Sequence, residues 1–208
     1  MKISYAVTVA DEIKEIQTLL PLLIKNKREE DEIIVQYDNQ KVTVEVLEYL
    51  NDLTFDKKIN KTIGYPLNGD FGTFKQHLNQ NCIGDWIYQL DADEVLDGGL
   101  IKNLNDILES NSNIELFFIP RINIVNGLTD AHIQKWGWNV NEKGWVNFPD
   151  VQGRLYQNKQ SIFWVGKVHE KLQGFESYSI FPQDEIYCIK HIKEIERKER
   201  QNNFYEQI

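Results

Sequence analysis

The chain opens with an apolar run of β type, Ile3 to Val9. Ile13, Ile16, Leu19, Leu20, Leu23 and Ile24 then recur at helical spacing, which predicts a helix opening at Ala10-Asp11. Asp11 and Glu12 suit the positive end of its dipole, and Lys25, Lys27 and Arg28 the negative end. Glu32 to Tyr37 reads as a second strand, closed by Asp38-Asn39. Val42, Val46, Tyr49, Leu50 and Leu53 trace a helical face, although Val42-Val44-Val46 also alternates as a strand would. Lys58 to Leu67 is a weaker third strand. Asn68-Gly69-Asp70 is turn chemistry with Asp70 as an N-cap, and Phe71, Phe74, Leu78 and Cys82 mark the next helical face. Trp86 to Leu90 is a fourth strand, short and apolar enough to be buried. Strand–helix alternation repeated in this way predicts an α/β fold, a mostly parallel central sheet with helices on both faces. Such sheets bind ligands at the carboxyl ends of their strands.

The second half changes character. Asp97 is placed to cap a helix from Gly98 to Leu108. Ile114 to Val125 is a long β-type run that Pro120 should break. Asn126 to Asp150 has little periodicity and holds Trp136, Trp138 and Trp145. Leu155 to Tyr156 and Ile162 to Val168 read as strands, and Ile192 to Ile208 as a charged helix.

Composition narrows the function classes. At 208 residues one domain is the default. A net charge of −9 argues against a general nucleic-acid binder, which needs a basic face. Two cysteines, Cys82 and Cys188, fit neither a disulfide framework nor a cysteine-rich zinc site, and buried free thiols are expected. The start lacks the apolar core of a signal peptide and no run approaches a membrane span, so a cytoplasmic setting is expected. Peripheral membrane contact through basic residues of the last helix stays open.

The candidate chemistry centres on Asp91-Ala92-Asp93-Glu94, three carboxylates at the tip of the fourth strand. Unpaired carboxylates are costly to bury, so a solvent-facing edge, a cation, or both is required. Mg²⁺ is commonly held by one or two carboxylates plus substrate phosphates, and Asp91 and Asp93 suit that role. An EF-hand is excluded, since Val95, Leu96 and Lys102 would occupy its fifth, sixth and twelfth positions. Neither G-x-G-x-x-G nor a Walker P-loop occurs, so a glycine cradle for phosphates is not expected. Trp136 and Trp138, in a loop that contains glycine, could stack on sugar faces or simply cover the sheet. Asp150 could be a general base or a turn residue after Pro149. Arg154 could grip a phosphate or pair with a carboxylate. His169 and His191 could complete a metal shell; His77 and His132 are weaker candidates.

In order along the chain stand Phe71-Gly72-Thr73-Phe74-Lys75, the stretch Gly84 to Glu94, Pro149-Asp150-Val151-Gln152-Gly153-Arg154-Leu155-Tyr156, Val168-His169-Glu170, and His191. This ordered set resembles the family 2 glycosyltransferases with the GT-A fold, in particular short bacterial and phage members related to lipopolysaccharide-core transferases. The resemblance spans most of the chain. It implies a single GT-A domain over 1–208, with a nucleotide-sugar half at 1–97 and a smaller acceptor-side half at 98–208. It also implies a nucleoside-diphosphate sugar donor, a UDP-sugar first among them, with Mn²⁺ or Mg²⁺ and inversion at the anomeric carbon. By the same likeness Thr8, Ala10, Glu12 and Asp38 surround the nucleoside, and Lys75, Asp91 and Arg154 complete the donor site. Asp93 ligates the metal, with Asp91, His169 and His191 as further ligands. Asp150 is the expected base, Glu170 the second choice, and Trp136 and Trp138 meet a glycan or lipid-linked saccharide acceptor. The loop Val9-Ala10-Asp11-Glu12 departs from the commoner Asn-Glu-Glu, and the usual Glu-Asp base motif is absent. A sugar-phosphate nucleotidyltransferase, a non-catalytic carbohydrate-binding protein and an inactive scaffold are the alternatives.

Overall fold

The computed structural model describes residues 1–196 and 199. Its first half alternates as the periodicity predicts: β1 (Ile3–Val9), α1 (Ile13–Asn26), β2 (Glu32–Asp38), α2 (Val44–Phe55), β3 (Lys61–Tyr65), α3 (Phe71–Asn79) and β4 (Trp86–Asp91). The ambiguous stretch after Val42 is helical because Thr43 caps it, accepting from the Val46 N–H, and Val46, Leu50 and Leu53 turn inward. β1 pairs in parallel with both β2 and β4, and β2 with β3. Thr8 therefore lies opposite Asp91 in the β1–β4 register, and Asp38 ends the neighbouring strand. Three polar residues far apart in sequence thus finish at one end of the sheet.

The second half contains β5 (Glu94–Val95), α4 (Gly98–Ser110), β6 (Leu116–Asn126), α5 (Asp130–Trp136) and β7 (Val146–Gln157). It continues with β8 (Phe163–Val165), β9 (Lys171–Gln173), β10 (Tyr178–Ile180) and β11 (Ile189–Glu194). The sheet runs β3-β2-β1-β4-β7-β6-β11-β5, so one sheet crosses both halves. β7 is antiparallel to β4 and β6. Helices α1, α2 and α4 bury Leu19, Leu50 and Leu104 against one face with Tyr5 and Tyr88. Helix α3 and the β8–β9 hairpin cover the other through Leu78, Trp164 and Leu172. Cys82 and Cys188 are buried and free, and burial pushes their thiols up to about 12 and about 11.

Four expectations in this half are corrected. Pro120 does not break its strand: on one edge of β6 pairing passes from β10, opposite Phe118, to β11, opposite Arg121, and Pro120 falls in that gap. The stretch 126–150 contains α5, held by a capping box between Thr129 and His132, and the start of β7. The strand expected over Ile162 to Val168 shrinks to Phe163–Val165. Ile192 to Glu194 belongs to β11 rather than to a helix, because pairing with β6 and β5 outweighs a helical charge pattern. Ile195, Glu196 and Glu199 are helical as expected; residues 197, 198 and 200–208 lie outside the described residues, and the membrane contact expected through the basic residues there lies outside them too. Among the described residues no helix is long and apolar enough to cross a membrane.

Candidate active site

A cleft of about 990 Å³ opens at the carboxyl ends of β1, β2 and β4. All seven expected donor-site residues line it: Thr8, Ala10, Glu12, Asp38, Lys75, Asp91 and Arg154. Asp93, His169, Glu170 and His191 line it as well. Asp150, Trp136 and Trp138 do not; they line a second cavity of about 550 Å³. The two share Arg121, Val151, His191 and Lys193, so they adjoin along that border.

The loop over the cleft is positioned by a close backbone approach. Phe71 N–H donates to the Lys167 carbonyl and Gly72 N–H to that of Gly166, at 2.8 and 3.1 Å. A Cβ on Gly72 would lie 2.6 Å from the Gly166 oxygen, so this contact requires glycine. Gly166 and His169 both take positive φ, 96° and 54°, and turn the chain so that Glu170 reaches Lys75 at 2.7 Å.

Asp91 is held from three sides. Its Oδ1 accepts from Thr8 Oγ1 at 2.8 Å and lies 3.2 Å from Lys75 Nζ, and its Oδ2 meets Arg154 Nη2 at 2.9 Å. Burial alone would raise its pKa, but Arg154 and Lys75 outweigh burial and hold the carboxyl well below the usual range. Arg154 is itself 3 % exposed and also pairs with the fully buried Glu94 at 2.7 Å. Of the two roles open to Arg154, the geometry favours the carboxylate partner over a phosphate. Lys75, 3 % exposed, likewise bridges Asp91 and Glu170.

Asp93 faces β11. Its Oδ2 lies 3.5 Å from His191 Nε2 and 3.3 Å from Lys193 Nζ. Burial works to raise the Asp93 pKa, and the contacts with His191 and Lys193 reverse that. Burial also pushes the His191 imidazole below its ordinary value, and Asn123 Oδ1 fixes its Nδ1 at 2.7 Å. Among the described residues no three His, Cys, Asp or Glu side chains converge as a ready metal cage. The four expected ligands share the cleft instead, with Asp93 and His191 in contact. Asp93 and His191 are ligand types that Mn²⁺ accepts, and an ion there would need further ligands from a bound phosphate.

Asp150 is neither a turn residue nor an open carboxylate. It lies within β7, where Oδ2 accepts from Arg121 Nε, Arg121 Nη2 and Asn123 Nδ2 at 2.9, 2.6 and 2.9 Å. Oδ1 accepts from Gln152 Nε2, at 2.6 Å. Burial would raise its pKa, yet Arg121, Asn123 and Gln152 together lower it. With its folded pKa below the unfolded value, this carboxylate adds stability that is present above about pH 4 and is lost as pH falls through the folded pKa. Thermal melts should therefore show a gap between the wild type and Asp150→Asn at pH 7 that closes on acidification below about pH 4. A gap of constant size would mean that the ionised form is not what Arg121 stabilises.

Asp38 Oδ1 accepts from the Gln40 and Leu67 N–H groups at 3.1 and 3.2 Å, while Oδ2, also buried, has no hydrogen-bond partner among the described residues. Glu12 Oε2 accepts from the Ala10 N–H at 2.6 Å and shapes the first loop. The weaker histidines are structural: His77 stacks on Tyr65 and bonds Gln36, and His132 caps α5. Sequence reasoning missed Arg121, Asn123 and Lys193. Arg121 had a visible signal, a lone cation in the apolar run from Ile119 to Ile122.

The fold and the placement of this cleft define a GT-A α/β architecture. No protein-family model and no curated protein matches the sequence. Among solved structures, the chain resembles residues 1–349 of S. aureus TarS with a TM-score of 0.64 at 16 % identity, over 92 % of this chain and 60 % of that one. It also resembles TarS 1–349 in complex with UDP-GlcNAc, with a TM-score of 0.65 at 16 % identity, over 93 % of this chain and 59 % of that one. The complex with UDP gives a TM-score of 0.65 at 15 % identity, over 92 % and 60 %. The chain thus spans less than two thirds of the TarS chains it resembles, and likeness at this identity establishes the fold.

Proposed function

We propose that the protein is a glycosyltransferase that moves a sugar from a nucleoside-diphosphate donor, a UDP-sugar, to a hydroxyl of a glycan or lipid-linked saccharide. One observation carries this reading: at the carboxyl ends of β1, β2 and β4, Asp38, Asp91 and Asp93 line the same large cleft. The unpartnered Asp38 Oδ2 needs a donor, which a base N–H or a ribose hydroxyl supplies. The likeness to a structure bound to UDP-GlcNAc supports the choice of donor class.

Electrostatics supports a divalent ion. Five carboxylates line the cleft (Glu12, Asp38, Asp91, Asp93, Glu170) against five fixed cations (Lys75, Arg121, Arg154, Lys171, Lys193), a balance of zero. An arriving diphosphate upsets that balance by two or more negative charges. Mn²⁺ or Mg²⁺, held by Asp93 with Asp91 and His191 or His169 beside it, would offset that charge and the further charge that grows on the leaving diphosphate. The chain's own groups do the rest. Asp91, locked by Thr8, Lys75 and Arg154, presents a fixed edge to the donor. The acceptor oxygen attacks the anomeric carbon, the bond to the diphosphate breaks with its electron pair, and the configuration inverts. Asp150 Oδ1, the less engaged oxygen, takes the acceptor's proton. Asp150 is favoured over Glu170 because it lines the second cavity, whereas Glu170 is paired to Lys75 inside the donor cleft.

A thermal-shift series of nucleoside diphosphates with and without Mn²⁺ tests the reading. Ligand at about 100 times its Kd stabilises the native state by about 2.7 kcal/mol. For a chain of this size that raises Tm by roughly 5–10 °C. UDP with Mn²⁺ should give this shift, and Asp93→Asn should lose the metal-dependent part when each melt is compared with the same variant without ligand. Flat melts across all nucleotides would remove the transferase reading, and pyrophosphate release from a sugar phosphate and an NTP would replace it with a nucleotidyltransferase.

A further inference from the structure

We infer that Lys171, at the start of β9, is the side chain that receives the donor's diphosphate; this deepens the transferase reading and rests on it. Five fixed cations line the donor cleft, and four of them are engaged. Lys75 meets Asp91 and Glu170, Arg154 meets Asp91 and Glu94, Arg121 meets Glu94 and Asp150, and Lys193 meets Asp93. Moving one of these onto a phosphate takes a partner from a carboxylate, which is costly where that carboxylate is buried. The ammonium of Lys171 has neither an ion pair nor a hydrogen bond among the described residues. The two carboxylates left in the cleft do not pair with it: Glu12 accepts from the Ala10 N–H, and Asp38 from those of Gln40 and Leu67. With no glycine cradle in the sequence, positive charge for phosphates must come from a side chain or a metal.

The backbone of Lys171 is fixed while its ammonium is not. It pairs with Val165 of β8, and the next pair along, Leu172 with Trp164, is buried. Trp164 Nε1 donates to Tyr156 Oη at 3.0 Å, and Lys75 Nζ lies 5.1 Å from the centre of a Trp164 ring. On the other side of Lys171, Glu170 meets Lys75 at 2.7 Å, and Lys75 meets Asp91 at 3.2 Å. Lys171 therefore stands one position from a run of contacts that ends at the β4 tip. Its side chain is exposed, so it gives up no partner when an anion arrives. A lysine is a compact point charge on a flexible stem. That suits a phosphate group that gains charge as its bond to the sugar breaks.

Calorimetric titration of the whole chain with uridine, UDP and inorganic pyrophosphate tests this, first in EDTA, where Asp93 keeps Lys193, and then with Mn²⁺. In EDTA the wild type should bind UDP more tightly than uridine. Lys171→Gln should weaken UDP and pyrophosphate by about tenfold or more, the scale of one lost hydrogen bond to a charged group, and leave uridine unchanged. Lys171→Arg should keep most of the affinity. Lys167→Gln, which removes an exposed charge from the same loop, should bind UDP as the wild type does. UDP affinity unchanged in Lys171→Gln, or an equal loss of uridine, would overturn the inference. If UDP binds only with Mn²⁺, and equally in both proteins, the metal holds the diphosphate; the inference falls and the transferase reading stands. If pyrophosphate binds through Lys171 while uridine does not bind and UDP is no tighter than pyrophosphate, the anion site stands and the nucleotide-sugar reading falls.

Discussion

Asp150→Asn should slow sugar transfer by about 10²–10⁴-fold, the usual contribution of a positioned general base, while the UDP and Mn²⁺ thermal shift is unchanged. The substitution keeps the size of the side chain and an acceptor oxygen for Arg121 and Asn123, so the junction between the two cavities survives. It removes the anionic oxygen that receives the acceptor's proton. The low pKa that Arg121 imposes makes Asp150 a weak base. In exchange, the three bonds to Oδ2 fix its orientation, so Oδ1 is aimed before the acceptor arrives. Transfer at the wild-type rate would move the base elsewhere, with Glu170 next in line. A joint loss of transfer and of the nucleotide shift would instead show that Asp150 supports the donor cleft. Glu170→Gln provides the contrast, since its loss should weaken donor binding through Lys75 as well as turnover.

Arg154→Met should cost about 3–5 kcal/mol of stability, the range for breaking one side of a buried ion pair. Glu94 is fully buried, and Arg154 Nη2 is its closer cation, at 2.7 Å against 3.2 Å for Arg121. Asp91 suffers less, because Thr8 and Lys75 remain. The loss is limited from the other side. Arg154 Nε and Nη1 are buried with no hydrogen-bond partner among the described residues, so burying this guanidinium already carries a penalty of about 1–3 kcal/mol per unsatisfied group. Urea melts of Arg154→Met, Glu94→Gln and the double variant separate these effects. The double variant should recover part of the loss, because a neutral amide in place of the Glu94 carboxylate no longer needs a cation. If Arg154→Met melts with the wild type, Arg154 is not the counter-ion of Glu94, and a phosphate-facing role returns.

The first half of the fold was legible because each segment carries its own signal. Ile16, Leu19, Leu20 and Leu23 mark one face of α1, Asp70 caps α3 through its side chain, and Trp86 to Leu90 is buried throughout. Parallel strands then force the carboxyl ends of β1, β2 and β4 together, so Thr8, Asp38 and Asp91 fall to one site on strand order alone. The second half was legible only in part: Asp97 and α4, the run of β6 and the Leu155–Tyr156 part of β7 could be read, but other strands are specified by partners. β11 carries charge at Lys190, Lys193 and Glu194 and is acceptable as an inner strand only because β5 and β6 flank it and the cleft receives His191 and Lys193. Pro120 was misread for the same reason, since a gap between β10 and β11 is a property of the whole sheet.

The sequence alone determined the α/β class, the caps, the free buried thiols and the cluster of carboxylates at the β4 tip, because periodicity, capping and the cost of burying charge act over a few residues. Only the tertiary structure decided which cation meets which carboxylate. Arg154 and Lys75 lock Asp91, Lys193 guards Asp93, and Arg121 holds Asp150 beside the tryptophan wall. Those pairs join residues from 16 to 100 positions apart by number, and no local pattern can encode a contact that exists only once the sheet has closed.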